Sequence, residues 1–364
     1  MKYQLNPQVS RRDYAAELNE QQYAAVTTNA RHALVIAGAG SGKTRTLTYR
    51  VSWLVEHGVA PWRILLLTFT NKAAKEMLKR VSDLAALDTS SIWGGTFHSV
   101  ANRMLRRNPE RLGYSANFSI LDSDDQNALM KAIYKQHAPK DAASPAKNKG
   151  RAKGKIFPKP KMLLSLHSLA ASTGEPWQQV LIERYPEWEE YEEAITTIYQ
   201  EYATRKKAAN AMDFDDLLTH AVALLEENKD LREHYQNRFE HVLVDEYQDT
   251  NSPQDRFIAL MAGGAHSCLM AVGDDAQSIY SWRGASVEHI FQFEQLYPDA
   301  QIFKIEINYR SVPAILELSN AAIAMNTRQF AKELKSHRPS GGLRPALVPV
   351  ADTRMEARFV AQRI

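Results

Sequence analysis

Short, nearly unbroken apolar runs recur along the chain: "ALVIAG" from Ala33, "ILLLTF" from Ile64, "HVLVDE" from His241, "CLMAVG" from Cys268 and "IFKIEI" from Ile302. Continuous β-branched and leucine-rich runs of this length read as strands buried on both faces. Helical periodicity follows most of them. Between Lys43 and His57, Leu47, Val51 and Leu54 share one face, and Gly58 ends the pattern. After Asn71, read as an N-cap, Ala74, Met77, Leu78 and Val81 form a second apolar stripe. Strand–helix alternation of this kind predicts an α/β fold with a parallel sheet covered on both faces.

The pattern changes between about Ser99 and Glu240. Strand signals fade and helical stretches take over: "QNALMKAIYKQH", "EEAITTIYQEYATRKKAA" and "FDDLLTHAVALLEEN". These predict a mostly helical domain inserted between sheet strands. Inside it, residues 139–162 are rich in Lys, Pro, Ala and Gly. That composition reads as a solvated loop, with a basic arm touching a phosphate backbone as the functional alternative.

Composition adds little. The 364 residues are 44% hydrophobic and 24% charged, and 45 Lys and Arg against 42 Asp and Glu leave a formal charge of +3. So nearly balanced a chain does not by itself indicate a nucleic-acid partner. The single cysteine, Cys268, sits in an apolar run and reads as a small buried hydrophobe, excluding an internal disulfide. No signal-peptide core or membrane-length apolar run occurs, so a cytoplasmic protein without membrane partners is expected.

Candidate chemistry sits at the strand ends. "AGAGSGKT", Ala37 to Thr44, follows the first predicted strand and opens the first predicted helix, the context of a phosphate-binding loop. Glycines at Gly38, Gly40 and Gly42, with Ala39 and Ser41 between them, let backbone N–H groups approach phosphate oxygens. Lys43 then reaches the β- and γ-phosphates of a nucleotide, and Thr44 ligates Mg²⁺. Ala37 stands where the general pattern has glycine. "LVDEYQD" ends another strand. Asp245 is placed to hold Mg²⁺, and Glu246 to act as the base that activates water. A third segment, "VGDDAQSIYSWRGA" from Val272, crowds acids, an amide and two aromatic rings into one short stretch.

Together with "LNEQQ", "LTFTNKAAKEM", "GTFHS", "MDFDDLL" and "INYRS", these motifs resemble, in family order, superfamily 1 DNA helicases of the UvrD/Rep/PcrA type. The resemblance implies a RecA-like P-loop NTPase sheet, ATP and Mg²⁺, single-stranded DNA and ss/dsDNA junctions as partners, and 3′-to-5′ unwinding in repair or replication. Repair or replication proteins are possible further partners. It implies that Gln22 reads the adenine edge, that Arg45 and Tyr309 sandwich the ring, and that Gln248 and Gln277 sense the γ-phosphate. Arg310 resembles an arginine finger. Phe69, Tyr280 and Trp282 resemble base-holding aromatics, and Arg283 and Thr96 resemble further DNA contacts. His98 reads as structural, and "MDFDDLL" as a helix start capped by Asp213 or Asp215, with no chemistry.

On this reading residues 1–98 and 239–304 form the first motor domain, and residues 99–238 the helical insertion. Residues 305–364 begin a second RecA-like domain. The family's later motifs lie beyond Ile364, so the chain reads as an N-terminal portion that binds nucleotide better than it turns it over and does not unwind alone. The alternatives are a non-motor ATP- and DNA-binding module completed by a second polypeptide, or the motor part of a helicase–nuclease.

Overall fold

The computed structural model describes residues 12–85, 89–139 and 157–364. The first apolar runs become β1 (His32–Ala37) and β2 (Ile64–Thr68), and a strand absent from the sequence reading follows, β3 (Trp93–Thr96). Two short strands, β4 (Ser119–Ile120) and β5 (Ala211–Met212), precede β6 (His241–Val244), β7 (Cys268–Gly273) and β8 (Gln301–Ile305). The last two are β9 (Ile307–Asn308) and β10 (Lys335–Ser336). Six of them make one sheet in the order β3-β2-β6-β7-β1-β8. Every pairing in that sheet is parallel.

Side chains alternate between two cores, as the two-residue period of a strand requires. Leu34, Ile36, Leu65, Leu67, Val242, Val244, Leu269 and Ala271 face one core, which includes residues of the helices Phe97–Arg107, Phe214–Glu227 and Ser252–Ala262. Ala33, Val35, Ala37, Ile64, Leu66, Leu243, Met270 and Val272 face the other, with the helices Lys43–Glu56 and Asn71–Ala85. Leu47, Val51 and Leu54 lie in that second core, as their spacing predicts. The helix after Asn71 is capped one residue earlier than expected: Ala73 N donates to Thr70 Oγ1 (3.1 Å).

A third core is all helical. It joins Met130, Leu163, Leu166, Ile195, Ile198 and Tyr202 from the helices Ser123–His137, Pro160–Thr173 and Glu192–Ala208. The chain enters and leaves this unit through the parallel β4–β5 pair. Of the basic segment 139–162, residues 140–156 lie outside the described residues; Phe157, at its end, is buried in the helical core. Cys268 is half-buried rather than enclosed.

Because the sheet is parallel, all six strands end on one edge. That edge gathers Gly38, Phe69, Phe97, Asp245, Asp274 and Glu306 at the six strand exits. Ligand sites in open α/β sheets form on this edge.

Candidate functional site

The loop after β1 wraps tightly before the helix Lys43–Glu56. Gly40 and Gly42 have φ of +71° and +94°, a region that other residues enter only with strain. Ser41 is buried, and its N–H and hydroxyl both donate to the Gly38 carbonyl (3.2 and 2.7 Å). Gln22 braces the loop from behind: its Nε2 donates to the Ser41 carbonyl (2.8 Å), and its Oε1 accepts from Asn19 N (3.4 Å). Ala37 is the buried last residue of β1 and does not line the cavity that the loop faces.

That cavity, about 410 Å³, is lined by Gly38, Ala39, Gly40, Gly42, Lys43, Thr44, Arg45, Glu246, Gln277, Tyr309 and Arg310. Arg80, from the middle of the helix Asn71–Ala85, completes the lining. Arg80, absent from the motifs, is half exposed and pairs with Glu76 on its own helix. Lys43 Nζ lies 3.2 Å from Glu246 Oε2. Arg45 donates to the Glu17 carbonyl and to Tyr49 Oη (2.9 and 3.0 Å), and Tyr309 Oη accepts from Asn19 (2.9 Å). The segment carrying Tyr309 and Arg310 rests on the loop: Tyr309 N donates to the Gly40 carbonyl (2.9 Å), and the Asn308 amide to that of Ala39.

Asp245 lies just beneath. Burial, with Glu246 adjacent, raises its carboxyl to about 7 despite Lys43. Its Oδ1 accepts from Glu246 N (3.1 Å). A buried carboxylate so disfavoured is one that a cation relieves. Among the described residues no cluster of three or more His, Cys, Asp or Glu could hold a metal. One carboxylate and the Thr44 hydroxyl fit an ion that takes its remaining ligands from phosphates and water, as Mg²⁺ does. Glu246 adopts φ +52° and ψ +47°, a left-handed conformation costing on the order of 1–3 kcal/mol in a residue with a Cβ.

From Glu246 a chain of hydrogen bonds leads to the segment after β7. Gln248 Nε2 donates to Glu246 Oε2 (2.9 Å), and Gln248 Oε1 accepts from Asp274 N (3.0 Å). Gln277 Nε2 donates to Asp274 Oδ2. Lys332 Nζ, itself buried, pairs with both Asp274 (2.9 Å) and Asp275. A Cβ on Gly273 would come within 2.9 Å of Gln248 Oε1 and displace this link.

A few residues further on, the same segment enters a larger groove of about 750 Å³. Phe69, Thr96, Trp282 and Arg283 line it together. Trp282 is 68% exposed, with the Arg283 guanidinium 4.6 Å from its ring centroid. Tyr280 stands outside the lining, stacked on Phe69 at 6.1 Å. Thr96 also caps the helix Phe97–Arg107, accepting from Ser99 N (3.2 Å).

Two groove residues were not read as such. His98 and Phe214 stack at 4.0 Å, and both line the groove. Phe214 follows Asp213, which caps the helix Phe214–Glu227 as expected and accepts from the buried Lys206 (2.5 Å). Phe214 is 53% exposed, and an exposed aromatic at the first position of a helix was the signal available. Burial lowers the His98 imidazole to about 4, so it is neutral at ordinary pH. Two acids also face the groove, Asp215 and Asp249, each raised by burial to about 6.

A parallel sheet with a glycine loop between its first strand and the next helix, and acids at a neighbouring strand end, is the RecA-like P-loop class. The chain belongs to the UvrD/REP helicase family: residues 18–298 match its N-terminal domain. It is 37% identical over 348 residues to the ATP-dependent DNA helicase PcrA of Staphylococcus epidermidis. It is 36% identical over 349 residues to the protein of that name from Staphylococcus aureus. In both comparisons 95% of this chain is covered, and it spans 45% of the relative. No helix among the described residues is long and apolar enough to cross a membrane.

Proposed function

We propose that this chain is the ATP- and single-strand-binding part of a 3′-to-5′ DNA translocase and helicase. One observation carries the reading: residues 273–285 line the phosphate cavity with Gln277 and the aromatic groove with Trp282 and Arg283. ATP enters with its phosphates on Gly38–Gly42 and Lys43, its γ-phosphate near Arg80, Gln277 and Arg310, and its base between Arg45 and Tyr309. Mg²⁺ held by Thr44 and Asp245 would neutralise phosphate charge. Glu246 takes the proton of the attacking water, and Lys43, its ion-pair partner here, is drawn away to the phosphates. Gln22 braces the loop through the Ser41 carbonyl here, and it reads the adenine edge once that contact is released.

In the groove, Trp282, Phe69 and Phe214 offer ring faces to unpaired bases, with Tyr280 behind Phe69. Stacking of this kind tolerates any sequence. Arg283 and Thr96 meet the backbone. Residues 1–98 and 239–304 would serve as the motor domain, and 305–364 as the start of a second one that presents Arg310. The shared apolar core adds the helices Phe97–Arg107 and Phe214–Glu227 to the motor body. This leaves the helices between β4 and β5 as the separate unit. Work on ss/dsDNA junctions in repair or replication, with the proteins that load it there, belongs to the same proposal.

The test is equilibrium binding of a fluorescent Mg–ATP analogue and of labelled oligo(dT) to the chain and its variants. The expected result is that both bind, that Lys43→Ala abolishes analogue binding, and that Trp282→Ala weakens the oligonucleotide alone. A chain that binds the analogue but no single strand at low salt contradicts the proposal.

A further inference from the structure

At the far end of β3 from the groove, three arginines converge on one indole. The guanidinium carbons of Arg103, Arg107 and Arg238 lie 4.9, 4.7 and 5.0 Å from the Trp93 ring centroid. Any two are therefore within about 10 Å of each other. Among the described residues no carboxylate pairs with any of them. Neighbouring arginines are engaged: Arg111 with Asp230, Arg63 with Glu240, Arg106 with the carbonyls of Ala116 and Phe118. Arg238 Nε is buried without a hydrogen-bond partner. Burial and mutual repulsion push Arg103 and Arg238 below the usual guanidinium range.

Two ordinary roles account for part of this. Arg107 and Arg238 lie in the last turns of their helices, where cations suit the helix dipole. An arginine over a tryptophan also gains a cation–π contact. Neither role needs three guanidinium groups on one ring, and Arg103 with Arg107 is a like-charge i,i+4 pair, unfavourable in an isolated helix. Guanidinium groups gathered without a carboxylate partner are instead suited to a phosphate, whose oxygens accept N–H groups from a guanidinium fork.

The helix Phe97–Arg107 joins this cluster to the groove. Its first turn carries His98 in the groove lining, and its last turns carry Arg103 and Arg107. At 1.5 Å per residue the two arginines stand roughly 8 and 14 Å along the axis from His98. We infer that Arg103, Arg107 and Arg238 bind backbone phosphate of the DNA strand as it leaves the groove past Thr96. This inference rests on the groove reading given above, and it adds a phosphate site outside the groove. Trp93 is the platform that holds the forks in place, and its buried ring stays in the core.

The test compares labelled oligo(dT) of about 6 and about 16 nucleotides over a salt series. The proteins are the full chain, Arg103→Gln/Arg107→Gln and Arg238→Gln. Thermal melting establishes that each variant folds, and the two sites can be changed separately. The expected result is a loss on the order of 10-fold for the longer strand, with a salt slope shallower by about 1.4 for the double variant. The shorter strand and the ATP analogue should bind as before. Unchanged affinity and slope for the longer strand overturn the inference, as does an equal loss for both lengths. Displacement of the longer strand by a polyglutamate peptide from the parent chain, but not from the variants, would assign the cluster to an acidic protein and also overturn it. Trp282→Ala is the separate control: if it leaves both lengths bound as tightly as before, the groove reading fails, whatever the arginine variants do.

Discussion

Glu246 holds a left-handed backbone, ion-pairs with Lys43 and receives Gln248, three constraints on the residue proposed to activate water. Glu246→Gln keeps the shape and removes the base. The expected outcome in the protein that turns over ATP is retained analogue affinity with hydrolysis lower by about 10²–10⁴-fold, measured as single-turnover phosphate release. Asp245 gives a pH prediction. Its folded pKa, about 7, lies above the ordinary 3.8. Between those values the folded chain keeps a proton that the unfolded chain has lost. Stability from this group therefore falls as pH rises through that window, and the full penalty stands above it. Asp245→Asn should match the parent's melting temperature near pH 4 and exceed it by a few degrees above about pH 7.5. A difference independent of pH would show that the carboxylate is not penalised. At this scale Lys43, Thr44 and Glu246, legible from motif spacing, meet around one cavity with Arg45 and Gln277, which the family resemblance implied. The sequence could not reveal that Gln22 bonds the Ser41 carbonyl, or that the helix carrying Arg80 borders this cavity, because both depend on the angle between elements.

Elements were legible where their periodicity was pure. The five apolar runs became strands within one or two residues, and the long helices formed where the stripes indicated. β3 was missed because "WGGT" has too little apolar side chain to read as a strand. Its glycines answer to neighbours: a Cβ on Gly94 would come within 2.7 Å of Leu78, and one on Gly95 would meet the Ser99 hydroxyl. Gly94→Val should destabilise the chain by about 1–3 kcal/mol, read as a lower denaturation midpoint with unchanged m-value. An unchanged midpoint would mean that the helix shifts freely off the strand. The groove was half legible. Phe69, Thr96, Trp282 and Arg283 were placed together by resemblance. Phe214 is hidden in the sequence by its capping neighbour Asp213, which gives a sufficient structural reason for the motif. Phe214→Ala should therefore weaken oligo(dT) binding by about 1–3 kcal/mol, roughly 5- to 150-fold, without altering analogue affinity. Wild-type affinity in that variant would return Phe214 to a packing role.

For the whole molecule, one parallel sheet brings all its strand exits to one edge, and two sites grow there from neighbouring exits. Residues 343–364 lie apart from that arrangement. Leu343 and Leu347 are almost fully exposed, and the helix Thr353–Arg363 buries none of its residues. Removing 343–364 should move the melting temperature by no more than about 2 °C, and a fall beyond about 5 °C would reveal packing that the exposure does not suggest.

The proposed coupling between the two sites runs along the hydrogen bonds Glu246–Gln248–Asp274–Gln277, five residues before Trp282 in the same segment. Its direct test is the affinity of labelled oligo(dT) measured with and without saturating Mg–ATP analogue. The expected result is a change of about fivefold or more, the same factor in analogue affinity when oligonucleotide is present, and loss of both in Gln277→Ala. Identical oligonucleotide affinity with the nucleotide site empty and filled would contradict it.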